Sequence, residues 1–121
     1  MINDETLDRV LDFVVEDTAR YQDEDGVYQV LDLTDYTLAG SVICDIDDES
    51  LDLPLEFEIV VGVDGKYIMT LSNANRDSIF LNYPKRLGML YEVKAHKSPA
   101  GGLTIRQGFL NLIHSRGLSG I

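Results

Sequence analysis

The sequence predicts an all-β domain folded as an antiparallel sandwich, and three observations carry that prediction. Glycines recur at Gly26, Gly40, Gly62, Gly65, Gly88, Gly101, Gly102 and Gly108 and cut the chain into short segments, the punctuation of strands and turns. Two stretches, PLEFEIVVGVDGKYIMTL (54–71) and MLYEVKAHKSPAGGLTIRQGFLNLIH (89–114), alternate apolar with polar residues. That period of two sends successive side chains to opposite faces of a strand. With 121 residues, 45% of them apolar and 26% charged, the chain is expected to fold as one domain over 1–121 around its own core, with 115–121 a short flexible tail.

Each element follows from its residues. In LDRVLDFVVEDTARY (7–21), Leu7, Val10, Leu11, Val14 and Val15 fit a helical stripe, whereas β-branched Val14 and Val15 beside Phe13 favour a strand at about 11–16. VLDLTDYTLAGSVICDI (30–46) opens with a polar corner, in which Asp32, Thr34 and Asp35 satisfy backbone groups. It continues as a strand with Leu38, Val42, Cys44 and Ile46 inward. Leu55, Phe57, Ile59 and Val61 then face the core while Glu56 and Glu58 face water. Asp64-Gly65 supplies the positive φ of a tight hairpin turn, and Tyr67, Met69 and Leu71 resume the alternation. In the last hairpin Met89, Tyr91, Val93 and Ala95 face inward opposite Glu92, Lys94 and His96, SPAGG turns the chain, and Leu103 and Ile105 return. The inward set then moves to Leu110 and Leu112, a phase change assigned to a β-bulge at Gln107-Gly108.

Charge is divided unevenly along the chain. Residues 1–58 hold 18 of the 21 acidic residues and only Arg9 and Arg20 as bases, a balance of −16, whereas 59–121 carry +5. The sum of −11 argues against nucleic acid or an anionic membrane as a partner, since both reward Lys and Arg. The two halves are expected to compensate each other within the fold, or to meet head to tail between copies. The acidic start MINDETLDRV lacks the basic, then apolar, character of a signal peptide, and no apolar run approaches the roughly 18 residues of a membrane span. Synthesis in the cytoplasm without membrane insertion is the expectation. The single cysteine, Cys44, allows no internal disulfide and suits a reducing compartment.

The phrase DLTDYTLAGSVICD (32–45) resembles the DLTGYT signature of small immunoglobulin-like domains in tailed-phage tail and baseplate proteins, a family that includes the N-terminal domain of upper baseplate proteins. LDFVVEDTARYQDEDGVYQV (11–30) looks like the first strand of that family with its following acidic loop, which favours strand over helix at 11–16. DGKYIMTLS, GMLYEVKA and GGLTIRQGFLNL look like its later strands, so the likeness runs over about 10–114. Asp35 and Asp17 stand where the family carries glycine or a small residue, positions at which a positive φ would strain an aspartate. The resemblance implies an immunoglobulin-like antiparallel sandwich of about seven strands. It also implies a virion structural protein made in the host cytoplasm and resident in the tail, an adaptor that joins fibres or spikes through protein–protein contacts. Copies would follow tail symmetry, with no catalytic residue and no cofactor.

Candidate sites are few. The acidic run CDIDDESLD gathers Asp45, Asp47, Asp48, Glu49 and Asp52, hard ligands of the kind calcium takes, but without the glycine and ligand order of an EF-hand loop. NYPKRLG puts Tyr83, Lys85 and Arg86 on a loop, and Tyr and Arg are favoured at protein interfaces. Tyr83, Lys85, Arg86, Asp45, Asp47 and Asp48 are therefore the candidate interface residues, on loops 45–53 and 82–88, with 21–27 a further contact loop. His96 and His114 have no companion motif, and Cys44 reads as a small core residue. No phosphate loop, zinc motif or serine elbow is present, and a small sandwich has little room for a pair of catalytic carboxylates across a cleft. A non-enzymatic role is the expectation. Two other classes stay open: an acidic inhibitor of a host defence protein that mimics nucleic acid, drawn from the −16 half, and a small carbohydrate-binding module, for which six tyrosines could stack on sugars.

Overall fold

The structure, a computed structural model, describes residues 3–97 and 100–114. Among these residues are ten strands: β1 (Glu5–Asp8), β2 (Phe13–Thr18), β3 (Arg20–Gln22), β4 (Tyr28–Val30), β5 (Thr37–Ile43), β6 (Leu53–Pro54), β7 (Glu56–Val61), β8 (Lys66–Leu71), β9 (Gly88–Lys97) and β10 (Ala100–Ile113). One α-helix, α1 (Asn73–Asn82), joins β8 to β9. It is too short and polar to cross a membrane, as is every helix of the described residues.

The strands form two facing sheets and a separate ribbon. One sheet has the order β1-β10-β9-β5-β6, the other β2-β8-β7, and β3-β4 form the ribbon. The pairing β2-β8-β7 against β5-β9-β10 is the B-E-D against C-F-G arrangement of an immunoglobulin-like sandwich. The number of strands exceeds the expected seven because β3, β4 and β6, each two or three residues long, add to the seven longer strands. The sandwich is also not wholly antiparallel, since β1 runs parallel to β10 with Glu5 opposite Leu110 and Asp8 opposite Ile113.

The core lies between the sheets. Phe13, Tyr67, Met69 and Leu71 face it from the smaller sheet, and Leu7, Val42, Met89, Tyr91, Val93, Ala95, Leu110 and Leu112 from the larger. α1 closes one end with Ile79 and Phe80; its first turn is capped by Ser72, whose Oγ accepts from the Asn75 N–H at 3.1 Å. Ala19, Leu31 and Leu33 close the other end. Leu33 is held there by its N–H to the Gly62 carbonyl at 2.8 Å, while the Asp32 carboxylate accepts from the Thr34 N–H at 2.9 Å, so the polar corner works as its residues suggest.

Several local expectations give way. The first long strand is a strand, but it spans 13–18 and not 11–16. The β7–β8 connection is a 3-10 turn over Gly62–Asp64 closed by Gly65, which alone there has positive φ, at 69°, and donates its N–H to the Gly62 carbonyl. Among the described residues no non-glycine residue has positive φ, so neither Asp17 nor Asp35 is strained. The register of β10 shifts between Ala100 and Gly102 and between Thr104 and Arg106, not at Gln107-Gly108. Ile105 is the extra residue of the second shift, and both it and Arg106 are buried in succession. Gly108 pairs in register with Tyr91; glycine is needed there because a Cβ would lie 2.1 Å from the carbonyl oxygen of Asn3, whose backbone crosses the strand.

Four residues expected in the core are not. Ile46 is 75% exposed, since β5 ends at Ile43 and the chain turns into the acidic loop before the alternation reaches it. Ile59 and Val61 lie on an edge strand of the smaller sheet, and Leu103 lies near the turn end of the β9–β10 hairpin, opposite Ala95; all three are partly exposed. The turn residues Ser98 and Pro99 and the tail 115–121 lie outside the described residues.

Candidate interaction surface

The outer face of the larger sheet carries an apolar row where polar residues would normally meet water. Ile43 on β5 pairs with Leu90 on β9, which pairs with Phe109 on β10, so three apolar side chains stand side by side across the strands. Their inward neighbours Val42, Met89, Tyr91 and Leu110 are buried, which fixes these three to the opposite face. Phe109 is 51% exposed.

Two loops border this row. After β5 the chain passes through Asp45 and Ile46; after α1 it passes through Tyr83 and Arg86. Together with Ile43, Leu90 and Phe109 these side chains line a shallow cleft of about 460 Å³. Arg86 is held there: it donates to the Cys44 carbonyl at 3.0 Å, and its guanidinium lies 5.5 Å from the centre of the Tyr83 ring. The His114 ring stacks edge-on against Phe80 at 5.0 Å and contacts the Arg86 carbonyl, anchoring the same segment.

The structure thus brings together three of the six candidate residues, Tyr83, Arg86 and Asp45. Lys85, Asp47 and Asp48 are exposed but do not line the cleft. The acidic loop spends its carboxylates on itself: Asp45 accepts from the Asp47 N–H at 2.9 Å and Asp48 from the Ser50 N–H at 3.0 Å, capping a 3-10 turn. Among the described residues no three His, Cys, Asp or Glu side chains converge as metal ligands would. Cys44 is buried, and its thiol is pushed above the ordinary value first by burial and then by Asp52. Phe109, Leu90 and Ile43 are the residues that sequence reasoning missed. Their signal was available, because each is an apolar residue on the outward phase of a strand whose inward phase is already apolar.

A second cluster holds the two sheets and β1 together. Arg106 on β10, with a side chain 6% exposed, pairs with Asp17 on β2 at 2.8 Å and with Glu5 on β1. Its Nε donates to the Tyr91 hydroxyl at 2.8 Å; that hydroxyl donates in turn to the Asn3 carbonyl, and Tyr67 donates to Asp17 at 2.9 Å. Burial works to lower the Arg106 pKa, but the hydrogen bond to Asp17 and the surrounding charge outweigh it, and the guanidinium is held above its ordinary value. The Tyr67 phenol is raised mainly by burial and then by Asp17; Tyr91 is raised by burial against the opposing pull of Arg106. With its polar groups paired to one another, this cluster clasps the two sheets and β1. It also joins the acidic first half of the sequence to the basic second half, as does Arg76, which lies 3.9 Å from Asp12.

The chain matches no protein-family model and no curated protein. What the structure defines is a class: an immunoglobulin-like sandwich with an apolar row on its outer face, bordered by tyrosine and arginine.

Proposed function

We propose that this protein is a non-catalytic virion component of a tailed phage, an adaptor in the tail or baseplate that docks fibre or spike proteins through the outer face of its larger sheet. The observation that carries the docking role is the Ile43, Leu90 and Phe109 row flanked by Tyr83 and Arg86. An apolar centre with Tyr and Arg at its border is the make-up of a protein interface, where a few such residues supply most of the affinity. A rigid sandwich holds that face in a fixed shape, so little order has to be gained on binding. The phage context rests on the DLTDYTLAGSVICD phrase and the strands that follow it in the family's order.

Proteomics of gradient-purified phage particles tests the proposal. The chain is expected in particles carrying the native sequence and absent from particles made with Phe109→Asp, while the free variant stays folded. Absence of the native chain from particles, together with salt-sensitive capture of a basic host protein, would replace the adaptor with the acidic inhibitor.

A further inference from the structure

The smaller sheet ends differently from the larger one. The edges of the larger sheet are blunted: β6 is two residues long and contains Pro54, and β1 is four residues long, with Glu5 tied to Arg106. β7 has neither device. Its residues Glu56–Val61 include no proline, lysine or arginine, and among the described residues no backbone group of Phe57–Val61 bonds to any strand other than β8. The two faces of this edge are also unfinished. On the inner face Phe57 is only partly buried and Ile59 is 38% exposed, although Ile59 stands beside the buried Tyr67; the sandwich is uncovered on this side. On the outer face Glu56 and Glu58 are exposed and, among the described residues, in no ion pair.

We infer that β7 is an acceptor edge for an extended segment of another protein in which lysine or arginine alternates with apolar residues. A strand laid beside β7 places its outward side chains against Glu56 and Glu58 and its inward side chains against Phe57 and Ile59. Opposite charges facing each other across strands stabilise, and like charges destabilise, so the outward positions require cations and the inward ones apolar groups. The register shift at Val60 limits the ladder to Glu56–Ile59, which makes the segment short. A second copy of this chain is the poorer occupant: two β7 edges offer each other glutamates and no cation, and each chain carries −11. β7 lies on a different surface from the Phe109 face, and its acceptor role is the same whichever protein supplies the segment.

The probe is a labelled peptide alternating lysine and valine, compared with an isomer in which the lysines and valines are in separate blocks. Fluorescence anisotropy with the full chain should show the alternating peptide binding about tenfold tighter, a preference lost on N-methylation of its backbone amides at both the lysines and the valines and reduced about tenfold by Glu56→Lys with Glu58→Lys. Amide hydrogen exchange should slow at 56–59. Equal binding of the two isomers, undiminished binding of the N-methylated peptide, protection confined to another segment, or a dimer of the chain formed through β7 in sedimentation would each overturn the inference.

Discussion

Replacing Arg106 with methionine gives the sharpest test of how the sheets are joined. The substitution keeps most of the length of the side chain and removes its charge, leaving Asp17 (22% side-chain exposure) and Glu5 (29%) facing each other with no cation between them. Breaking a buried ion pair costs roughly 3–5 kcal/mol, and because both carboxylates keep some access to water the lower end applies, about 3 kcal/mol. For a domain whose total stability is of order 5–15 kcal/mol, that is a large share, and at roughly 4 °C per kcal/mol the midpoint falls by about 12 °C. Thermal and urea unfolding followed by far-UV circular dichroism measure it. Replacing Asp17 and Glu5 by leucine and Tyr67 by phenylalanine in the same protein should recover most of the loss, because the apolar cluster then strands neither a charge nor the Tyr67 hydroxyl that Asp17 accepts from. A loss below about 1 kcal/mol for Arg106→Met, the range of exposed pairs, would refute the view that this cluster is a buried clasp.

Other consequences can be measured on the same protein. Gly108→Ala forces its Cβ against the Asn3 backbone and should cost about 2 kcal/mol, with faster amide exchange in β1 as the local sign. Ser72→Ala removes the cap of α1 and should cost about 1 kcal/mol by urea unfolding. Because the Tyr67 and Tyr91 phenols are raised, the unfolded chain sheds these protons first, at pH ~10. Stability is therefore whole below that pH and declines above it, by up to about 1.4 kcal/mol per pH unit from Tyr67, with Tyr91 acting in the same direction. Urea midpoints measured across the alkaline range should show this decline, with a smaller slope in Tyr67→Phe. Phe109→Asp should cost only about 1 kcal/mol and leave the domain folded, since the ring is half exposed and its loss removes a cross-strand contact with Leu90.

The sequence is most readable where a strand has neighbours on both sides. Tyr67, Met69 and Leu71 on β8, and Met89, Tyr91, Val93 and Ala95 on β9, are buried in strict alternation because a facing sheet covers every inward position. The same alternation misleads on β7, where Ile59 holds the inward phase but stays partly exposed at the sheet's edge, and a register shift sets Val61 opposite the outward-facing Lys66. α1 escapes a period-two reading because Ile79 and Phe80, its only buried apolar residues, are adjacent and make no stripe. The clasp was hidden for another reason: Arg106 lies 89 residues from Asp17 and 101 from Glu5, and local pattern says nothing of such pairs. Composition singled out six loop residues and could not tell Tyr83, Arg86 and Asp45, which line the cleft, from Lys85, Asp47 and Asp48, which do not, since the side on which a loop residue falls depends on the sheet beneath it.

The parallel pairing of β1 with β10 decides how the molecule would bear tension. If the chain is pulled by its two ends, these neighbouring strands slide past each other along their length, so the hydrogen bonds from Glu5 to Asp8 are strained together and cannot open in succession like a zip. Arg106, bound to Glu5 across the same seam, adds a rivet to it. A hairpin at that position would peel under a light pull; this arrangement makes the seam the mechanically strong element of the fold.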